Sequence, residues 1–198
     1  MFTRNGILAL VIVLVCLSVR ADAAGWGRGS LGGRLPRLPK IKTVDPIGSP
    51  TASYLVAFRS VGKGRYLGLG LRQEAAALPE IAGQDASFML IDRDGGPLRS
   101  GDVVGLALRE NKLFLCAEDG GGREVRINRP ASGEWEALTI VRVAGPGPIR
   151  SGDEVALRTR SGHYLSAVEG GGREVNARGA QIGPWERWRI EVRHRGPI

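Results

Sequence analysis

An internal repeat of about 50 residues fills the sequence after residue 52 and constrains its fold more than any other feature. Two sets of residues recur at intervals of 50 in all three copies: Glu74, Glu124 and Glu174, and Phe88, Leu138 and Trp188. A unit of this length cannot bury its own apolar face, so neighbouring copies must pack against one another. The sequence therefore predicts one domain built from three like units.

The second and third copies are much closer to each other than to the first. Both contain the run Gly-Gly-Gly-Arg-Glu-Val, at 120–125 and 170–175, and both contain a later Trp-Glu pair. The first copy lacks the three glycines and the tryptophan, and it is two residues shorter between Tyr66 and Phe88. We therefore expect any binding surface to lie on the second and third copies.

Each copy is predicted to form four short strands. In the third copy they are placed at residues 155–158, 163–168, 173–178 and 185–192, separated by turns that contain glycine. Apolar side chains alternate along these segments, as half-buried strands require, and no segment has a long apolar stripe of helical period.

Twelve short strands in three like units of about 50 residues predict an all-β fold, the β-trefoil. Six strands would form a barrel and six would cap it as hairpins. A propeller is disfavoured because closure usually takes about four to eight blades. A linear solenoid would need polar capping repeats, whereas the last copy is among the most apolar.

The third copy resembles a fascin-type β-trefoil repeat. The resemblance rests on residues 154–178 and on Gly-Pro-Trp-Glu-Arg-Trp at residues 183–188, and the second copy matches over residues 104–140. It implies a trefoil domain over residues 51–198, belonging to a secreted member of the family with a single trefoil. Family repeats can bundle actin filaments, and related trefoils in secreted bacterial proteins commonly accompany carbohydrate-active modules.

The first residues have the layout of a signal peptide. Arg4 precedes an uncharged apolar stretch at residues 7–19, which is followed by small residues. The stretch is too short for a spanning helix, which needs about 20 residues. We expect residues 1–23 to be removed, leaving a secreted or periplasmic protein without a transmembrane segment. A retained membrane anchor and a lipid-modified Cys16 are the alternatives.

Residues 24–50 are rich in glycine, proline and basic residues and are predicted to be a flexible linker. The net charge is +8, of which the leader contributes +1 and residues 24–48 contribute +4, leaving +3 for the rest. Because so much charge belongs to an exported tail, we do not expect nucleic-acid binding. A solvated tether is predicted, and binding to anionic cell-surface polymer or lipid headgroups is the alternative.

Cys116 is the only cysteine that remains after removal of residues 1–23. An intramolecular disulfide is then impossible, so core burial must stabilise the fold. Because Cys116 ends an apolar strand-like run, we expect a buried, unreactive thiol.

The predicted ligand-binding residues flank the glycine turns: Glu118, Arg123 and Asn128 in the second copy, and Glu169, Arg173 and Asn176 in the third. These side chains offer sugar hydroxyls both donors and acceptors. The glycines are predicted to form turns with positive φ rather than a phosphate cradle, since no helix follows them. Trp135 and Trp185 are expected to open the fourth strands and to pack against the barrel bottom rather than to stack on a sugar.

The sequence does not indicate an active site. Equivalent acidic residues such as Glu124 and Glu174 are expected to be kept apart by pseudo-threefold symmetry, whereas paired glycosidase carboxylates lie about 5 to 10 Å apart. His163 and His194 are the only histidines, and no cluster has metal-ligand spacing. We expect no catalytic residue, no metal and no cofactor.

The sequence thus favours a non-catalytic module that binds polysaccharide or another cell-surface polymer through its hairpin surfaces. A protein-docking or structural trefoil is the first alternative, of actin-binding type only if the protein is delivered into a eukaryotic cell. An exported hydrolase is the second.

Overall fold

The computed structural model describes residues 53–195. The predicted signal peptide and linker, residues 1–23 and 24–50, lie outside this range. The helical segments of the described part are short 3-10 turns at Leu71–Gln73, Gln84–Ala86, Glu118–Gly120 and Val168–Gly170. None of them has the length or the apolar character to cross a membrane.

Twelve strands follow one another along the described chain, as predicted. They are β1 (Ser53–Ser60), β2 (Gly68–Leu69), β3 (Ala75–Ala76), β4 (Phe88–Asp92), β5 (Val103–Leu108), β6 (Phe114–Ala117), β7 (Val125–Arg129), β8 (Leu138–Arg142), β9 (Glu154–Arg158), β10 (Tyr164–Ala167), β11 (Val175–Gly179) and β12 (Trp188–Arg195). We call β1–β4 lobe 1, β5–β8 lobe 2 and β9–β12 lobe 3.

Six of these strands close into a barrel. Antiparallel pairing runs from β1 to β4, β5, β8, β9 and β12, and β12 pairs back with β1. The remaining strands form three antiparallel hairpins, β2–β3, β6–β7 and β10–β11. The fold is a β-trefoil, with one hairpin in each lobe.

The barrel interior is filled by alternate strand residues. Phe88, Leu138 and Trp188, the equivalent residues that start the last strand of each lobe, are all fully buried. The Trp188 indole N–H donates to the carbonyl of Leu165 at 3.2 Å, which satisfies its one polar atom inside the core. Burying a large apolar side chain contributes about 1.5 to 3 kcal/mol.

The three hairpins meet at the pseudo-threefold axis. Isolated bridges link Glu74 to Arg126, Glu124 to Asn176, and Glu174 to Ala76. Each bridge joins one of the three equivalent glutamates to the position two residues beyond its equivalent in a neighbouring lobe, so the three together close a ring. The three copies of the sequence repeat are thus related by this axis in the structure.

The glycine turns have positive φ, as predicted, and they join neighbouring lobes. Gly120, Gly121 and Gly122 have φ values of 78°, 125° and 83°. A Cβ at Gly121 would overlap the side chains of Thr159 and Ser161 in lobe 3. The amide of Ser161 donates to the Gly120 carbonyl at 3.0 Å. The turn therefore requires glycine both for its conformation and for close approach to the next lobe.

The last strand of lobe 3 begins at Trp188, so the prediction that it begins at Trp185 was wrong. The Glu186 carboxylate accepts the amide of Gly183 at 2.9 Å and closes a turn ahead of the strand. Glu136 and Gly133 make the same contact in lobe 2, at 2.7 Å.

Candidate functional site

Each hairpin packs beside the turn that precedes the last strand of its own lobe. In lobes 2 and 3 the amides of Ala117 and Ala167 donate to the carbonyls of Trp135 and Trp185, at 3.0 and 2.8 Å. We call the region between hairpin and turn the hairpin–turn space. It is built on equivalent backbone in lobes 2 and 3 and is filled differently in each of the three lobes.

In lobe 1 the hairpin–turn space is closed by apolar packing. A Cβ on Gly68 would lie 3.1 Å from Cγ of Pro79 and 3.2 Å from Cβ of Ala86. Ala86 is fully buried and belongs to a small apolar cluster with Ala57 and Tyr66. No side chain could be added at Gly68 without moving its neighbours.

In lobe 2 an arginine fills the same space. Nη2 of Arg129 donates to both carboxylate oxygens of Glu118, at 3.1 and 2.9 Å. Its Nε lies 3.7 Å from Oε1 of Glu136, a residue that is only 5% exposed. The guanidinium thus pairs with two carboxylates, one of which is buried.

Cys116 lies beside this arginine and is buried, as predicted. Burial, followed by the neighbouring Glu136 carboxylate, raises the pKa of the Cys116 thiol to about 12. Because the thiolate is the nucleophilic form, the thiol is unreactive near neutral pH.

In lobe 3 the space is open. Strand pairing places Gly179 where lobe 2 has Arg129, and Ser166 where it has Cys116. Val168 similarly replaces Glu118, since their amides make equivalent hydrogen bonds. The result is a cavity of ≈ 310 Å³, which we call the lobe 3 cavity. Around Gly179 it is lined by Ser166, Val168, Asn176, Arg178, Trp185 and Glu186.

Trp185 and Trp135 are exposed, by 47% and 40%. The expectation that they pack against the barrel bottom was therefore wrong. The turn closed by the following glutamate holds each tryptophan outside the strand, and the buried position three residues later belongs to Trp188 or Leu138. Trp185 consequently presents its indole at the lobe 3 cavity.

Glu186 places a nearly buried carboxylate in the wall of the lobe 3 cavity. It is 8% exposed, and its Oε2 accepts the Gly183 amide. Within residues 53–195, Oε1 has no hydrogen-bond or ion-pair partner. Arg178 lines the same cavity but forms no ion pair with Glu186. Among the described residues this carboxylate thus has no ion-pair partner, whereas its lobe 2 equivalent is paired with Arg129.

Of the six predicted binding residues, only Asn176 lines a cavity among those described here. Arg123 pairs with Asp119 and Arg173 with Glu169, both at 2.5 Å and both exposed. Glu118 holds Arg129. Oδ1 of Asn128 is buried and has no hydrogen-bond partner among the described residues. The two predicted triplets therefore do not form equivalent surfaces.

A second depression lies on the pseudo-threefold axis and has a volume of ≈ 390 Å³. Glu74, Glu124 and Glu174 all line it, so the pseudo-threefold symmetry arranges these equivalent carboxylates around one depression. The axis gathers them because each follows a hairpin turn that faces it. Within residues 53–195 no group of three or more acidic, histidine or cysteine residues could hold a metal ion.

Apart from Asn176, the residues that line the lobe 3 cavity were not among those predicted from the sequence. One signal could have found them. Copies two and three share a Trp-Glu pair, and about six residues before it the second copy has Arg129 where the third has Gly179, the smallest residue. Two near-identical copies that differ this much in side-chain volume at one position indicate a space that is filled once and empty once.

No protein-family model matches the sequence. The comparison with curated proteins also gives no match.

Solved structures share the fold. The SDF2-like protein from Arabidopsis thaliana has a TM-score of 0.57 and 11% identity, over 71% of this chain and 92% of that chain. The designed threefold-symmetric protein ThreeFoil has a TM-score of 0.54 and 18% identity, over 70% of this chain and 97% of that one.

A lectin from Polyporus squamosus, solved bound to the epitope Neu5Aca2-6Galb1-4GlcNAc, has a TM-score of 0.54 and 11% identity. The match covers 73% of this chain and 50% of the lectin chain. At these identities the likeness shows the trefoil fold alone.

Proposed function

We propose that the protein is an exported, non-catalytic binding module that holds a sugar unit of an extracellular polymer in the lobe 3 cavity. The observation that carries this proposal is the exposed indole of Trp185 at a cavity that also contains a nearly buried carboxylate. A sugar ring has apolar C–H faces and polar edges. An aromatic face combined with a few fixed polar groups therefore suits it.

The remaining lining supports a sugar in size and in chemistry. The cavity volume of ≈ 310 Å³ is at the small end of the range of about 300 to 1,000 Å³ for ligand pockets, which suits a single ring. Ser166 and Asn176 can donate to and accept from hydroxyl groups. The lectin neighbour, of which half the chain is matched, was solved bound to a glycan; this supports the proposal, although fold alone does not assign a function.

The absence of catalysis is part of the proposal. Glu186 is the one carboxylate among the described residues that line the lobe 3 cavity. Glycoside hydrolysis ordinarily needs a pair of them. We expect the full chain to release no reducing ends from any polysaccharide that it binds.

A protein-docking trefoil of fascin type is the second candidate, and lobe 1 carries the observation that favours it. Leu71, Leu78 and Ile81 are large apolar residues that are exposed in this lobe. Replacing all three with serine would weaken protein docking but leave polysaccharide binding unchanged.

The test compares the two equivalent tryptophans on the full chain. Retention is measured on a panel of insoluble plant, fungal and bacterial polysaccharides for Trp185→Ala and for Trp135→Ala. We expect Trp185→Ala to weaken binding about tenfold, because an aromatic contact is worth roughly 0.5 to 1.5 kcal/mol beyond its buried area. Trp135→Ala should bind normally, because Arg129 fills the space beside it.

Two results would contradict this proposal. One is a wild-type protein that no polysaccharide on the panel retains. The other is a loss of binding of the same size in both tryptophan variants, which would show that binding is not specific to lobe 3.

A further inference from the structure

Lobe 2 contains an internal cation where the lobe 3 cavity is open. The Arg129 guanidinium lies between Glu118 and the nearly buried Glu136, and Nε is 3.7 Å from Oε1 of Glu136. The other oxygen of Glu136 accepts the Gly133 amide at 2.7 Å. One oxygen of this carboxylate thus accepts a hydrogen bond, and the other lies within ion-pair distance of the arginine.

Glu186 has the same setting without the cation. Its Oε2 accepts the equivalent amide, of Gly183, at 2.9 Å, and its burial is similar. Its Oε1 has no partner among residues 53–195. Gly179 supplies no side chain to pair with it, and the Glu186 side chain lies against this glycine at the edge of the lobe 3 cavity. One half of a charged pair is therefore built into the wall of the cavity.

A nearly buried carboxylate favours a ligand that brings a positive charge. Removing a charge from water is costly unless an opposite charge or hydrogen-bond donors compensate it. A charged N–H donor directed at a carboxylate also gives a stronger hydrogen bond than a neutral hydroxyl does. Arg129 shows that the space accepts a nitrogen cation in this position.

We infer that the lobe 3 cavity binds the ammonium group of an amino sugar within a polysaccharide, with Oε1 of Glu186 accepting its N–H. This assignment rests on the proposed function and names the ligand class for the same site. The sugar ring would lie against Trp185, and its hydroxyl groups would reach Ser166 and Asn176. Arg178, also at the cavity, is exposed to solvent and forms no ion pair with Glu186, which leaves the carboxylate to the ligand.

The experiment uses the full chain and three soluble probes of equal length. They are a fully deacetylated glucosamine oligomer, its N-acetylated counterpart and a neutral β-1,4-glucose oligomer, titrated calorimetrically at pH 6. We expect the glucosamine oligomer to bind at least tenfold more tightly than the other two. Glu186→Gln should abolish that preference, whereas Glu136→Gln, the matched change in lobe 2, should leave it intact.

A second variant tests the amino-sugar assignment by filling the lobe 3 cavity instead of removing the charge of Glu186. Gly179→Arg would place the lobe 2 arginine in lobe 3, where its guanidinium could pair with Glu186. Gly179 does not require glycine through a positive φ. A Cβ there would lie 2.7 Å from Cγ of Glu186, a side chain that must shift. We expect loss of glucosamine binding with thermal unfolding retained as a single transition.

The outcomes separate this inference from the proposed function. Equal affinity for the glucosamine and glucose oligomers, unaffected by Glu186→Gln, would overturn the amine assignment and leave sugar binding standing. Binding of none of the oligomers or insoluble polysaccharides would overturn both. Tight binding of an oligolysine peptide combined with no binding of the glucosamine oligomer would also overturn the amino-sugar assignment.

Discussion

Lobes 2 and 3 have the same backbone around the hairpin–turn space and opposite contents within it. Lobe 2 holds an arginine between two carboxylates, whereas lobe 3 has glycine and an open cavity beside an unpaired carboxylate. The difference teaches that a single side chain decides whether the same backbone encloses an internal ion pair or lines an open cavity. Lobe 1 is a third variant, closed by Pro79 and Ala86.

Substitutions of equivalent barrel residues should lower the free energy of unfolding by similar amounts in lobes 2 and 3. Substitutions at the hairpin–turn space should not. Trp188→Ala and Leu138→Ala should lower the free energy of unfolding by about 4 and about 3 kcal/mol, because both side chains are fully buried and equivalent. Trp185→Ala, a matched change three residues earlier in lobe 3, should cost less than about 0.5 kcal/mol. Urea unfolding followed by circular dichroism measures all three, and similar losses for the two tryptophans would contradict the assigned burial.

The hairpin–turn space should respond differently to loss of arginine in the two lobes. Arg129→Ala leaves Glu136 nearly buried without its cation and should cost about 2 kcal/mol, less than a fully buried pair because Arg129 is partly exposed. Arg178→Ala, its lobe 3 control, removes an exposed side chain and should change stability by less than about 0.5 kcal/mol. Chemical denaturation at low and high salt tests this, and equal effects would mean that Arg129 is not structural.

The smallest expected difference in stability between the lobes comes from Cys116 and its lobe 3 equivalent, Ser166. The Cys116 pKa rises from its ordinary value of 9.0 to about 12, so between these pH values the unfolded chain loses the thiol proton while the folded chain keeps it. Stability from this group is therefore complete below about pH 9 and declines as the pH rises. From pH 8 to pH 10 the wild type should lose about 1 kcal/mol more than Cys116→Ser, which places the lobe 3 residue in lobe 2.

The comparison with Cys116→Ser cancels the tyrosine, lysine and arginine titrations that both proteins share in this range. Parallel stability curves for the two proteins would show that the thiol is not desolvated in the folded state.

The fold was predictable because the signals that encode it are local and occur three times. Equivalent apolar residues mark the barrel strands, and runs of glycine mark turns that only glycine forms easily. The candidate site was much less predictable. The sequence pointed to Arg123 and Arg173, which pair with their own i−4 neighbours at the surface, because charged residues beside a glycine turn resemble a binding surface whether or not a cavity adjoins them.

The sequence by itself determined the trefoil, the hairpins and the turns, since repetition forces equivalent segments into equivalent environments. Tertiary structure alone decided that Trp185 is exposed and Trp188 buried, and that Glu74, Glu124 and Glu174 share one depression. It also decided that Gly179 opens a cavity beside Glu186. The physical reason is that a cavity depends on the volumes that strand pairing and turn closure bring together, and these lie several residues apart along the chain.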